Sequence, residues 1–235
     1  MSASLSVQVP SARPGELNPT RRSPASRSVS TVAPREPDPK YSRLPTAEQV
    51  ERAAVHLRRR GFEVVVVETL PDARREALSR IPAGAEVLDG PSRSLEETGI
   101  PAALADDARV TLLKPRLRAT DRATQSAEIR RLSQAPGVTI GSVHAITEGG
   151  EVLVTSGTGS QIGPYAYGAG RVIWVVGIQK IVPPFAEGMN RLEQYSLPLE
   201  NERARADYGH DSAIARLLLL RADHPAGRTP VILVN

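Results

Sequence analysis

The stretch 62-FEVVVVETLPDARREALSRIPAGAEVLD-89 decides how the chain is read. It opens with a short, continuous apolar run, the signature of a strand buried on both faces of a parallel sheet. Pro71 and Asp72 then mark a helix start, and apolar residues follow at helical spacing. A second short apolar run, 85-AEVLD-89, closes the unit. Strand, helix and strand in about 30 residues form a βαβ unit and point to an α/β fold.

Working outward, the pattern repeats. Upstream, Thr46 and Gln49 form a capping-box pair, Val50, Ala53, Ala54 and Leu57 recur on one helical face, and Gly61 stands where a helix C-cap belongs. Downstream, 90-GPSRS-94 turns into a short helix, 94–99. Residues 104–119 carry only a weak pattern. A helix is expected over 121–135, capped by Thr120 or Asp121. Strands are expected over 138–147, 151–156 and 171–177. The tight connection Glu148-Gly149-Gly150 makes an antiparallel hairpin of the first two, so the sheet is expected to be mixed and mostly parallel, flanked by helices. A helix is expected over 184–195, with Pro198 bending or ending it, and another over 199–208. Apolar strands 215–221 and 230–234 close the chain.

Residues 1–45 differ in kind. They hold eight prolines, many Ser and Arg, and no apolar period. Such a segment cannot bury enough surface to offset its ordering entropy, so it reads as a disordered tail before a domain at 46–235. Seven basic and three acidic residues in that tail account for the whole net charge of +4, and the remainder carries 23 of each sign. A folded part that is electrically neutral lacks the footprint of a nucleic-acid binder. No apolar run approaches the ~18 residues of a membrane span, and no signal-peptide pattern is visible. The expected compartment is the cytoplasm. The chain has no cysteine, which excludes disulfides, thiolate zinc sites and an iron–sulphur cluster held by its own thiolates. With four histidines and no cysteine, no metal site is expected.

Three features carry candidate chemistry. After the strand at 151–156 come Gly157, Thr158, Gly159 and then Gly163. Glycines let backbone N–H groups approach an anion, but the spacing G-x-G-x-x-x-G is one residue longer than the dinucleotide fingerprint and has no Walker lysine. The loop is either an anion cradle or a plain connection. Lys180 follows the strand 171–177, at the end where open α/β sheets gather ligands. It is either the point charge of that cradle or a surface lysine. Glu148 occupies the hairpin turn and is a candidate nucleophile or base, or a turn residue only. Ser142 precedes His144 without the nucleophile-elbow pattern.

The ordered motifs 86-EVLDGPSRSLEETGI-100, 141-GSVHAITEGGEVLVTSGTGSQIG-163, 168-GAGRVIWVVGIQKIVPPFAEGMNRL-192 and 230-PVILVN-235 resemble the LUD (lactate utilisation) domain family. The resemblance implies a fold of the NagB/RpiA/CoA-transferase type. It implies an accessory protein of bacterial L-lactate or organic-acid utilisation, binding an anionic small molecule or working beside iron–sulphur and oxidoreductase partner subunits. The alternative it offers is an enzyme of the CoA-transferase or sugar-phosphate isomerase type with Glu148 catalytic. The implied ligand residues are Gly90, Ser92, Gly157, Thr158, Gly159 and Lys180, and no cofactor is specified. Two departures stand out: V-T-S replaces the usual acidic stretch before G-T-G, and 205-RADYGHDS-212 stands where some relatives carry cysteines.

Overall fold

In a computed structural model, residues 36–235 are described, so most of the expected tail, residues 1–35, lies outside the described residues. The rest of that tail is packed. Pro39–Ser42 form a 3-10 turn, and Tyr41 is buried against Tyr195 and Glu187.

The fold contains two sheets. The larger has six strands, all parallel: β1 (Glu63–Val67), β2 (Glu86–Asp89), β3 (Thr111–Leu112), β4 (Val138–Gly141), β7 (Arg171–Gly177) and β10 (Pro230–Val234), in the order β1-β10-β7-β4-β2-β3. The smaller has four: β5 (Ala145–Thr147), β6 (Val152–Ser156), β8 (Ile181–Val182) and β9 (Arg216–Leu220), in the order β8-β5-β6-β9. The mixed pairing is thus confined to the smaller sheet, where β6 runs antiparallel to β5 and β9. The fold is α/β and mostly parallel, and the β5–β6 hairpin forms as the Glu148-Gly149-Gly150 turn predicts.

Period-two alternation distributes the core. On β7, Val172, Trp174 and Val176 join one cluster and Ile173 and Val175 another; on β10, Val231 and Leu233 divide from Ile232 and Val234 in the same way. Both strands are central and buried on both faces, which is why their sequences are continuously apolar. The first cluster includes Val152, Val154 and Ile146 of the smaller sheet and the apolar face of α1 (Ala47–Arg59), so it fills the space between them. The second packs under α2 (Leu70–Ser79), α3 (Arg93–Thr98) and α4 (Ile100–Ala105).

Local signals account for most helix ends. The Thr46–Gln49 capping box is present in both directions, and Gly61 has φ 88°. Four expectations are corrected. The helix expected over 121–135 is shorter, as α6 (Ser126–Gln134). Asp121 accepts from the Ala123 N–H and the Thr124 hydroxyl, holding a turn where helix was expected. The weak region, 104–119, holds the end of α4, then β3 and α5 (Leu113–Ala119). The helical backbone does not end at Pro198: α7 (Phe185–Arg191) runs through a π-turn at Leu192–Ser196 into α8 (Leu197–Tyr208), with Pro198 in the first turn of α8. Finally, 138–147 is two strands, one in each sheet, broken at Ser142-Val143-His144.

Candidate functional site

That break creates the site. Strands β2, β4 and β7 are neighbours in the parallel sheet, and the segments leaving their carboxyl ends meet. β2 leads into Gly90 and, two residues into α3, Ser94. β4 leads into Ser142. β7 leads into a single 3-10 turn, Ile178–Lys180. Lys180 Nζ lies 2.8 Å from Ser142 Oγ and 3.0 Å from Ser94 Oγ. Both serines are buried, whereas Lys180 keeps a minority of its surface open to solvent.

The backbone is shaped for this approach. Gly90 N–H donates to the Ile140 carbonyl (2.9 Å), tying β2 to β4 as they end. A Cβ on Gly141 would overlap the Tyr165 hydroxyl, which packs over this glycine and reaches the Ser142 carbonyl (3.4 Å). Tyr165 is itself fixed edge-on against Trp174.

Desolvation, reinforced by the charges of Arg191 and Arg93, draws the Lys180 ammonium down to about 7, with Glu97 opposing. Arg191 is buried and drawn down to about 10 by desolvation; it donates to the His144 carbonyl and Ser196 Oγ, stacks over Tyr195, and leaves Nε without a partner. His144 stays neutral, drawn down to about 3 by desolvation and by the charges of Lys180 and Arg191. Its Nδ1 faces the Thr155 N–H at 3.2 Å, so the ring uses this nitrogen as acceptor. The chain has three lysines. Lys40 pairs with Glu187 and Lys114 with Asp89, and neither arrangement is repeated at Lys180, which meets hydroxyls.

The other expected residues are placed as follows. Ser92 precedes α3 as its cap residue without a side-chain cap bond; Ser94, two residues on, is the serine that reaches Lys180. Strands β6 and β7 lie in different sheets, so pairing does not bring the glycine loop to Lys180. That loop is bound up internally: Gly157 O accepts from Arg216, the Gly159 N–H donates to Ser156 Oγ, Thr158 Oγ1 bonds Ser160, and Gly159 has φ 85°. Glu148 follows the β5–β8 pairing at the end opposite Lys180, its N–H on the Val182 carbonyl. Its carboxylate accepts from Gln49 (2.8 Å) and Arg52 (2.8 Å); desolvation opposes ionisation, but these bonds outweigh it and hold the pKa below the usual carboxylate range. His56 Nδ1 meets the Glu148 carbonyl and Arg60 donates to the Gly149 carbonyl, so the turn is fastened to α1.

Sequence reading missed Ser94, Ser142 and Arg191 as partners of Lys180. The 90-GPSRS-94 turn offers two serines, and only the helix start selects between them. A recess of about 160 Å³, lined by Lys40, Tyr41, Gln179, Ile181 and Glu187 among others, opens beside the residues that flank Lys180. Among the described residues no cluster of three or more metal-ligating side chains occurs, and no helix is long and apolar enough to cross a membrane.

A family profile described as the LUD domain matches residues 50–214. The crystal structure of a DUF162 family protein from Deinococcus radiodurans is similar at 15% identity and a TM-score of 0.48, over 82% of this chain and 100% of that one. No curated protein matches the chain. The profile spans every element from α1 through the Lys180 turn to α8, and on that match the chain belongs to the LUD domain family.

Proposed function

We propose that the protein binds a small anionic ligand at the Lys180 cluster, as a non-redox participant in organic-acid utilisation of the lactate type, alongside oxidoreductase subunits. One observation carries this reading: Lys180 is set between two serine hydroxyls with no carboxylate bonded to it, beside a second buried cation, Arg191. A buried charge without a counter-ion is costly, and an arriving anion removes that cost. The position beyond the carboxyl ends of adjacent parallel strands supports it, because ligands of open α/β sheets collect there. Attack by Glu148 on a thioester, the alternative, requires its carboxylate to leave Gln49 and Arg52.

The test is thermal stability of the full chain with lactate, pyruvate, inorganic phosphate and CoA, in the native protein and in Lys180→Met. A ligand at about 100 times its Kd stabilises by ~2.7 kcal/mol, a rise of roughly 5–10 °C for a domain of this size. The expected result is such a rise with at least one anion, lost in Lys180→Met. A rise of equal size in both proteins would place the ligand elsewhere. Co-purification of oxidoreductase subunits tests the partner half of the reading.

A further inference from the structure

The chain carries 30 basic residues, of which only three are lysines. Among the described residues, Lys40 and Lys114 form ion pairs and Lys180 does not. Arginine stays charged at any accessible pH and presents no basic nitrogen, whereas lysine can shed its proton and become a nucleophile. At the Lys180 cluster a permanent positive charge is already supplied by Arg191, while Glu97 and Arg93 act on the amine in opposite senses. The one amine there is bonded to two hydroxyls, bears no ion pair and keeps part of its surface open. These features suit a reacting group better than a fixed counter-charge.

We propose that Lys180 forms a Schiff base with the carbonyl carbon of a small oxo acid, the acid's carboxylate lying in the positive field of Arg191. This rests on the reading of the cluster as an anion site and names the class of ligand: a compound carrying both a carbonyl and a carboxylate. The neutral amine adds through its lone pair, so a C–N bond forms and the carbonyl π electrons pass to oxygen. One amine proton moves to that oxygen, with Ser142 and Ser94, each within hydrogen-bond reach of Nζ, as relay. The resulting hydroxyl takes a proton from a serine hydroxyl and leaves as water while the nitrogen lone pair closes the C=N bond, and the nitrogen returns its remaining proton to that serine. The balance is amine plus carbonyl giving imine plus water, and neither oxidant nor reductant enters. Burial beside other cations is what leaves a usable fraction of the amine unprotonated near neutral pH.

The experiment is reductive trapping of the full chain with pyruvate and sodium borohydride, read by intact mass and peptide mapping. Lactate, which has the carboxylate but no carbonyl, is the control. One adduct at Lys180 is expected, with none at Lys40, Lys114 or the amino terminus on the same timescale, and none with lactate. Lys180 should label at least about tenfold faster than either other lysine at pH 7, since an ordinary amine is almost wholly protonated there. Ser142→Ala, checked for an unchanged melting profile, should label more slowly and with an altered pH profile. No adduct, or labelling spread evenly over the amines, overturns the proposal. Stabilisation by lactate or phosphate without a trapped adduct overturns this inference and leaves the anion site standing. An adduct at Lys180 without stabilisation by any non-carbonyl anion overturns the general anion reading and leaves the Schiff base.

Discussion

Lys180 Nζ lies 2.8 Å from Ser142 Oγ, a contact between the segments that leave two neighbouring strands of one parallel sheet, β7 and β4. Among the described residues the lysine has no salt-bridge carboxylate, and its charge is opposed by Arg191. Any anion that enters should therefore bind the protonated form. Affinity for a non-titrating anion is expected to fall as pH rises through about 7. Titration calorimetry with phosphate-free buffers and lactate at pH 6 and pH 9 checks this, and equal affinity at both values removes Lys180 from the anion's contacts.

The same shift fixes a sign for stability. The folded value lies near 7, below the ordinary 10.5, so between these values the unfolded chain holds a proton that the native Lys180 has released. Stability contributed by this group therefore rises as pH climbs from about 7 towards 10.5 and is at its lowest below 7. Lys180→Met removes this titration and is expected to flatten the alkaline rise. Denaturant unfolding of both proteins across that range measures it.

His144 works at the acid end. It is drawn from 6.5 to about 3, so between these values the unfolded histidine takes up a proton that the native ring refuses. Stability should fall as pH drops from about 6.5 towards 3. His144→Asn, which keeps an acceptor for the Thr155 N–H, should lose part of that slope when melting temperatures are compared at pH 4 and pH 7.

Gly141 is held to its identity by the Tyr165 hydroxyl above it. Gly141→Ala should displace Tyr165 from Trp174 and cost ~1–3 kcal/mol, the usual range for overpacking. Near-ultraviolet circular dichroism should report the disturbed Tyr165–Trp174 pair. An unchanged spectrum with unchanged stability would show that the ring moves aside freely.

Glu148 fastens the β5–β6 turn to α1 through Gln49 and Arg52. Glu148→Ala should cost ~1–2 kcal/mol, because charge-assisted bonds in a partly buried setting are lost. Its depressed pKa means this contribution is present at neutral pH and disappears as pH falls through its folded value, so the native and mutant proteins should converge in acid.

Much of the fold is written locally. Continuous apolar runs at 62–68, 171–177 and 230–234 each became a strand of the parallel sheet, but only the last two are buried on both faces: β1 stands at the sheet edge, with Val64 buried and Val66 exposed, contrary to the expectation for 62–68. Caps at Thr46 and Thr69 and the positive φ of Gly61 settle helix limits within a turn of the residue itself. The errors have a common origin in competing local and distant forces. Asp121 captured backbone donors that a helix would have used. The apolar run 215–221 is a strand, but at the edge of the smaller sheet, so Leu217 and Leu219 face outward while Leu218 and Leu220 pack inward.

Sequence alone determined the α/β class, the hairpin at Glu148, the place of Lys180 after a core strand and the absence of cysteine chemistry, because each depends on residue type or on spacing within a few residues. Only the tertiary structure decided that 138–147 breaks at Ser142 to pass between sheets, that Ser94 rather than Ser92 meets Lys180, and that Arg191 lies buried beside them. Those residues are brought together from four segments by strand order in the sheet. Strand order is set by how apolar faces are shared across the whole core, which no local spacing records.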